Sequence, residues 1–128
     1  MSTAPKPPKP TATELELLRT LWSMGPASVR EVHAARESER PEHSYATVLR
    51  LMQVMHGKGL LLRDESERSH VYRAAFEQDA FRSNMLDDLI QKVFAHSGKD
   101  LVLTALSRHV SNRELEEIKQ YLREHPDG

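Results

Sequence analysis

Apolar residues recur at intervals of three and four along three stretches of the first half of this chain. Leu15, Leu18, Leu21 and Trp22 predict a helix over residues 13–24 with Trp22 as a core anchor. A capping box from Thr11/Glu14 or from Thr13/Glu16 opens it, and Gly25-Pro26 stops it. Ser28 with Glu31 forms a second capping box and predicts a short helix through Val29, Val32 and Ala35 to about Ser38. A polar loop with Pro41 then leads into the stretch 44–60, SYATVLRLMQVMHGKGL, around which the rest is organised. There Val48, Leu51, Met52 and Met55 line one helix face, which should be core, with Ser44 at or near the N-cap and Gly57 to Gly59 ending the helix.

The opposite face of that helix carries Ala46, Thr47, Arg50, Gln53 and Val54. Two readings compete for it: an ordinary solvated face, or a surface that meets a partner. Composition favours the second, because a solvated face usually carries Glu/Lys pairs. Here short residues (Ser44, Ala46, Thr47) are followed by Arg50 and Gln53, which allow close approach and donate to bases or phosphates. Upstream, Ser28 and Arg30 sit at the start of the second helix, where free N–H groups favour a phosphate, although plain capping explains Ser28 equally well.

After Gly59 the spacing changes. Leu60 to Asp64 and His70 to Ala74 flank a polar turn, Glu65 to Ser69, and predict a two-stranded hairpin. Three helices followed by a hairpin is the order of a winged helix-turn-helix, in which the central helix enters the major groove and the wing touches backbone. Arg63, Arg68 and Arg73 offer wing charge, but Asp64, Glu65 and Glu67 share the turn, so Arg68 is the one expected at phosphate.

From Phe76 onward the pattern is helical again. Phe81, Met85, Leu86, Leu89, Ile90, Val93 and Phe94 cover more than one stripe of a helix expected to end near Ser97-Gly98. Leu101, Val102, Leu103, Ala105 and Leu106 make a short apolar helix, and Ser111/Glu114 cap a last one through Leu115, Ile118, Tyr121 and Leu122. Three such helices cannot bury so many apolar residues alone. A two-fold homodimer would cover them. The fold class expected is therefore mainly α with a small β-hairpin: an arm over residues 1–12, rich in Pro and Lys and disordered, a winged-helix DNA-binding domain over 13–75 and an α-helical dimerisation domain over 76–128.

Composition narrows the classes. No run approaches the length needed to cross a bilayer, and the N-terminal stretch lacks the apolar core of a secretory signal, so a cytoplasmic protein with no direct membrane binding is expected. Cysteine is absent, which excludes disulfides, thiolate metal sites and a Cys nucleophile. The net charge of −1 divides as +2 over residues 1–75 and −3 over 76–128, a mild bias of the front half toward a polyanion.

Specific motifs now point to a family. The run ELELLRTLWSMGPASVREV (14–32), the segment SYATVLRLMQVMHGKGL, the hairpin ending VYRA and the tail LVLTALSRHVSNRELEEIKQYL (101–122) resemble the penicillinase-repressor family (BlaI/MecI/CopY type) over about Thr13 to Leu122. The resemblance implies a dimeric winged-helix repressor, linked to antibiotic resistance, whose two units read the halves of a palindromic double-stranded operator. Where the family's recognition helix typically starts AYTTV with a short polar residue two further on, this chain has Ser44, Tyr45, Ala46, Thr47, Val48 and then Leu49 and Arg50. Thr47 carries over as a contact, while Ala46 and Arg50 depart from the pattern and leave the operator sequence open. The resemblance also implies induction by a membrane sensor-transducer and cleavage within the helix over Leu101 to Leu106, where Thr104-Ala105 stands in place of the family's frequent Asn-Phe. The cysteine cluster of the copper-responsive branch is missing.

Other classes fit less well. The seven histidines, His33, His43, His56, His70, His96, His109 and His125, are scattered, and no H-E-x-x-H, phosphate-cradling Gly-rich loop or G-x-S-x-G occurs, so no enzyme, catalytic residue, cofactor or metal site is expected. Two alternatives stay open: a winged-helix module that binds protein, favoured by the acidic wing, and a ligand- or metal-sensing regulator, for which His96 with His109 is the pair to consider.

Overall fold

The structure is a computed structural model that describes residues 6–127. The expected N-terminal arm therefore lies partly outside the described residues; residues 6–10 form neither helix nor strand. The elements run α1 (Ala12–Met24), β1 (Ala27–Ser28), α2 (Val29–Arg36), α3 (Tyr45–Lys58), β2 (Leu61–Asp64), β3 (Val71–Ala74), α4 (Gln78–Lys92), α5 (Gly98–His109) and α6 (Asn112–Glu124). This is a mainly helical winged helix-turn-helix with a small sheet. The expected hairpin forms as β2 with β3, and β1, which the sequence reading missed, adds a third strand to give an antiparallel sheet of order β1-β3-β2, with Ala27 opposite Tyr72 and Leu61 opposite Ala74.

Local chemistry sets the helix ends. Of the two capping boxes offered for α1, Thr11/Glu14 forms, and Gly25 closes the helix at φ 84°. Ser28/Glu31 caps α2, Ser44 caps α3 by accepting from the Thr47 N–H, and Gly59, left-handed at φ 86°, ends α3.

The chain divides into two compact units, up to Asn84 and from Met85 onward, the division falling within α4. In the first unit, Leu17, Leu18 and Leu21 of α1, Val32 of α2, Val48, Met52 and Met55 of α3, and Leu60, Leu61 and Tyr72 of the sheet region are buried together. Phe81 belongs to this core: it is 3% exposed and its ring lies 5.3 Å from that of Trp22. Its expected place among dimerisation residues is thereby corrected. Trp22, half-buried, also donates through Nε1 to the Phe76 carbonyl at 2.8 Å, tying α1 to the chain beyond the wing. Trp22→Phe should lower stability by about 1 to 2 kcal/mol through loss of that bond, to be measured by urea unfolding.

Two charged residues, Glu14 and Arg36, are buried. Glu14, 3% exposed, receives Lys58 Nζ on both carboxylate oxygens at 2.8 and 3.0 Å, joining the start of α1 to the end of α3. Burial raises the Glu14 carboxyl, but Lys58 and the Thr11 N–H outweigh it and the net displacement is downward.

The second unit differs in kind. No residue of α5 or α6 is buried, and Leu89, Val93, Val102, Leu103, Tyr121 and Leu122 are exposed. Met85 and Leu86 are exposed as well, while Ile90, Phe94, Leu101, Leu106, Leu115 and Ile118 are half-buried. The helix expected to run to Ser97-Gly98 stops at Lys92, and Gly98 starts α5 instead. Between them Ala95 and His96 adopt left-handed conformations, φ 49° and 69°, with the His96 N–H bonded to the Ile90 carbonyl at 2.9 Å.

Candidate nucleic-acid interface

The face of α3 turned away from the core is Tyr45, Ala46, Thr47, Arg50, Gln53 and Val54, all exposed. The opposite positions Val48, Met52 and Met55 are fully buried, so packing fixes which way the outward set points. Thr47 Oγ1 lies 3.1 Å from Ser44 Oγ, which also accepts the Thr47 N–H; Ser44 thus orders the first turn of the helix.

The approach to α3 is held by a charged network. Arg36, 3% exposed, donates to Glu16 at 3.3 Å and lies 3.4 Å from His43 Nδ1, while Arg40 donates through Nε (2.9 Å) and Nη2 to the two Glu16 oxygens. The His43 carbonyl, one residue before the cap, is 3.1 Å from His33 Nε2, and the His33 ring meets Tyr45 edge-on. This arrangement positions the entry to the helix.

Hydrogen bonds from Arg40 hold the Glu16 carboxyl down to about 2 against partial burial, with Arg36 adding to the effect. A carboxyl held below its ordinary value of 4.5 stabilises the fold above that pH and loses the contribution as pH falls toward 2. Glu16→Gln should accordingly melt at a lower temperature than the parent at neutral pH, and the two melting curves should converge as pH approaches about 2.

The wing lies beside α3. Arg63 pairs with Glu65 at 2.6 Å and lies 5.9 Å over the Tyr72 ring, and Asp64 accepts the Ser66 N–H at 2.9 Å, shaping the turn. Among the described residues Arg30, Arg50 and Arg68 have no ion-pair or hydrogen-bond partner. Arg19, Arg73, Arg82 and Arg108 are unpaired too, so what suits a polyanion is the place of Arg50 on the outward face of α3, beyond its lack of a partner.

Ser28, a candidate phosphate contact, is occupied otherwise. Its hydroxyl accepts the Glu31 N–H at 3.2 Å and its own N–H donates to the Glu31 carboxylate at 2.9 Å. That carboxylate competes with any anion at the start of α2; Ser28 is seen in its capping role, and Arg30 beside it is exposed. Sequence reasoning also missed Ser69 and His70, which line a cleft between α3 and the wing together with Tyr45, Gln53 and Arg68. The alternation around His70-Val71-Tyr72 marks the strand, but nothing in it marks the cleft.

The family model described as penicillinase repressor matches residues 10–124. The chain belongs to the penicillinase-repressor family. This repressor is 25% identical over 112 residues to the transcriptional regulator BlaI of Mycobacterium tuberculosis, a match covering 87% of this chain and 80% of that protein. Among solved structures it is similar to Bordetella bronchiseptica BpsR, whose report concerns regulation of its DNA binding by 6-hydroxynicotinic acid, at 20% identity, TM-score 0.44, and 94% and 77% coverage of the two chains. A transcriptional regulator from Thermotoga maritima, Tm0710, matches at 17% identity, TM-score 0.46, and 92% and 80% coverage. Among the described residues of the repressor, no helix is long and apolar enough to cross a membrane, and no group of three or more His, Asp or Glu side chains is placed to hold a metal ion.

Proposed function

We propose that the repressor binds a palindromic duplex operator as a homodimer, each protomer laying α3 in the major groove. The observation that carries this is the outward face of α3, where Ala46 and Thr47 leave room for close approach and unpaired Arg50 and exposed Gln53 reach for base edges. Tyr45 and Ser44 stand at the start of that helix, and Arg30 and Arg68 take backbone phosphate on either side. No catalytic residue enters this scheme.

The dimer is supported by the second unit, which leaves large apolar side chains on α4, α5 and α6 exposed. An isologous contact pairs each patch with its own copy. Met85, Leu86, Leu89, Val93, Val102 and Leu122 supply the exposed part of that contact, with Ile90, Phe94, Leu101, Leu106, Leu115 and Ile118 beneath it.

Footprinting on the DNA upstream of the repressor's own coding sequence tests the reading. Protection of two half-sites related by a dyad is expected, with log affinity falling by about 0.9 per phosphate contact for each log unit of salt. An affinity indifferent to salt would favour a protein-binding module instead.

Induction is the second half of the proposal: a membrane sensor-transducer whose signal leads to cutting at Thr104-Ala105. Those residues lie mid-way along α5, where the Thr104 carbonyl accepts from Ser107 Oγ at 3.0 Å, so α5 must open locally before a protease can reach the bond. Cells given the inducing antibiotic should yield a fragment ending at Thr104; an intact chain after full derepression overturns this step.

A further inference from the structure

The cleft between α3 and the wing has a volume of about 190 Å³. Tyr45 and Gln53 line it from α3, Arg68, Ser69 and His70 from the wing turn, and Tyr72 from β3, while α2 brings only the uncharged Val29. The lining therefore holds one permanent cation, one titratable imidazole and several hydrogen-bond donors, and no carboxylate. Outside the lining, Glu65 is held by Arg63, and its carboxyl is lowered a little further by His70 and by His56 at the end of α3.

We propose that this cleft receives one backbone phosphate of the operator and that His70 makes the grip proton-linked, so that operator binding tightens as pH falls. The inference rests on the duplex-binding reading above and names a contact and its control within it. A phosphodiester is an anion throughout the range in which an imidazole changes charge, between about pH 5 and 8. Placing it in the cleft favours the charged imidazole, as any close opposite charge does. Glu65 cannot absorb the change, because its pairing with Arg63 keeps its carboxyl below the ordinary value and ionised throughout that window. Binding then takes up a proton. The imidazole value is higher in the complex than in the free repressor, so the added affinity is present at low pH and is lost as pH rises through the value in the complex.

Fluorescence anisotropy with a labelled duplex from the repressor's own upstream DNA, at pH 6 and pH 8 and matched ionic strength, reads the effect. The parent should bind about three- to tenfold more tightly at pH 6. His70→Gln should bind equally at both, and His70→Arg should bind tightly at both, which also shows that the site tolerates substitution without loss of the fold. Equal affinity of the parent at the two pH values overturns the proposal while leaving the repressor reading intact. So does a pH dependence that persists in His70→Gln, since His33, His43 and His56 would then be its source. Failure of the parent to bind the duplex at either pH overturns the repressor reading and this inference with it.

Discussion

A Leu89→Asp repressor is expected to run as a monomer in solution scattering and to bind its operator about 100-fold or more weakly than the parent. Leu89 is 44% exposed, so a carboxylate there meets water in the isolated protomer and harms little within its own unit. Against a second copy the same carboxylate is buried without a partner, which costs several kcal/mol for an ion kept from water. In the proposed dimer two half-site contacts reinforce each other, and the avidity lost on separating them is worth about 10² to 10⁴. Ile90→Asp should also break the dimer, but Ile90 is half-buried within its own unit and the result would mix folding with association. The melting transition of the winged-helix unit should be unchanged in Leu89→Asp. A dimer that survives the substitution would remove the apolar faces of α4 to α6 from the interface.

Arg50→Ala is expected to cost about 1 to 3 kcal/mol of operator affinity, the range for a bidentate contact to a base edge. Arg50 is exposed and has no partner among the described residues, so its removal leaves the fold and the cap of α3 alone. The pattern of loss distinguishes two roles. Weakening confined to the operator, with random duplex bound as before, marks Arg50 as a base reader. Equal weakening on both marks a phosphate contact, and the salt dependence should then fall by about one unit of slope.

Much of this architecture was legible because it is local. The three-and-four spacing of Val48, Leu51, Met52 and Met55 fixed both the helix and the face it buries, and the Ser28/Glu31 and Ser111/Glu114 pairs fixed where α2 and α6 begin. What escaped depends on partners distant in sequence or on weak signals. Strand β1 is two residues long and exists through pairing with Val71 and Tyr72. Glu14 was legible only as the partner of Thr11 in a capping box and Arg36 not at all, because their burial depends on Lys58 and Glu16, distant in sequence. Phe81 continues the apolar pattern of α4 without a break, and only its contact with Trp22 assigns it to the first unit. The end of α4 was misjudged because Ala95 and His96 take a conformation usually marked by glycine, while the glycine nearby, Gly98, sits in the first turn of α5. In the interface, the exposed face of α3 was readable from composition. The cap that Ser28 makes with Glu31 was readable as well, whereas the cleft at His70 joins residues from α3, the wing turn and β3 and was not.

The acids of the wing have a consequence for how the repressor finds its target. Asp64, Glu65 and Glu67 flank Arg68 in the wing, and in the duplex-binding mode proposed above repulsion between these carboxylates and phosphates would weaken the hold on any duplex whatever its sequence. Chromosomal DNA is a vast excess of wrong addresses, so a shallow hold on each shortens every unproductive stop and leaves fewer molecules sequestered away from the promoter. Discrimination then comes as much from letting go of the wrong addresses as from holding the right one.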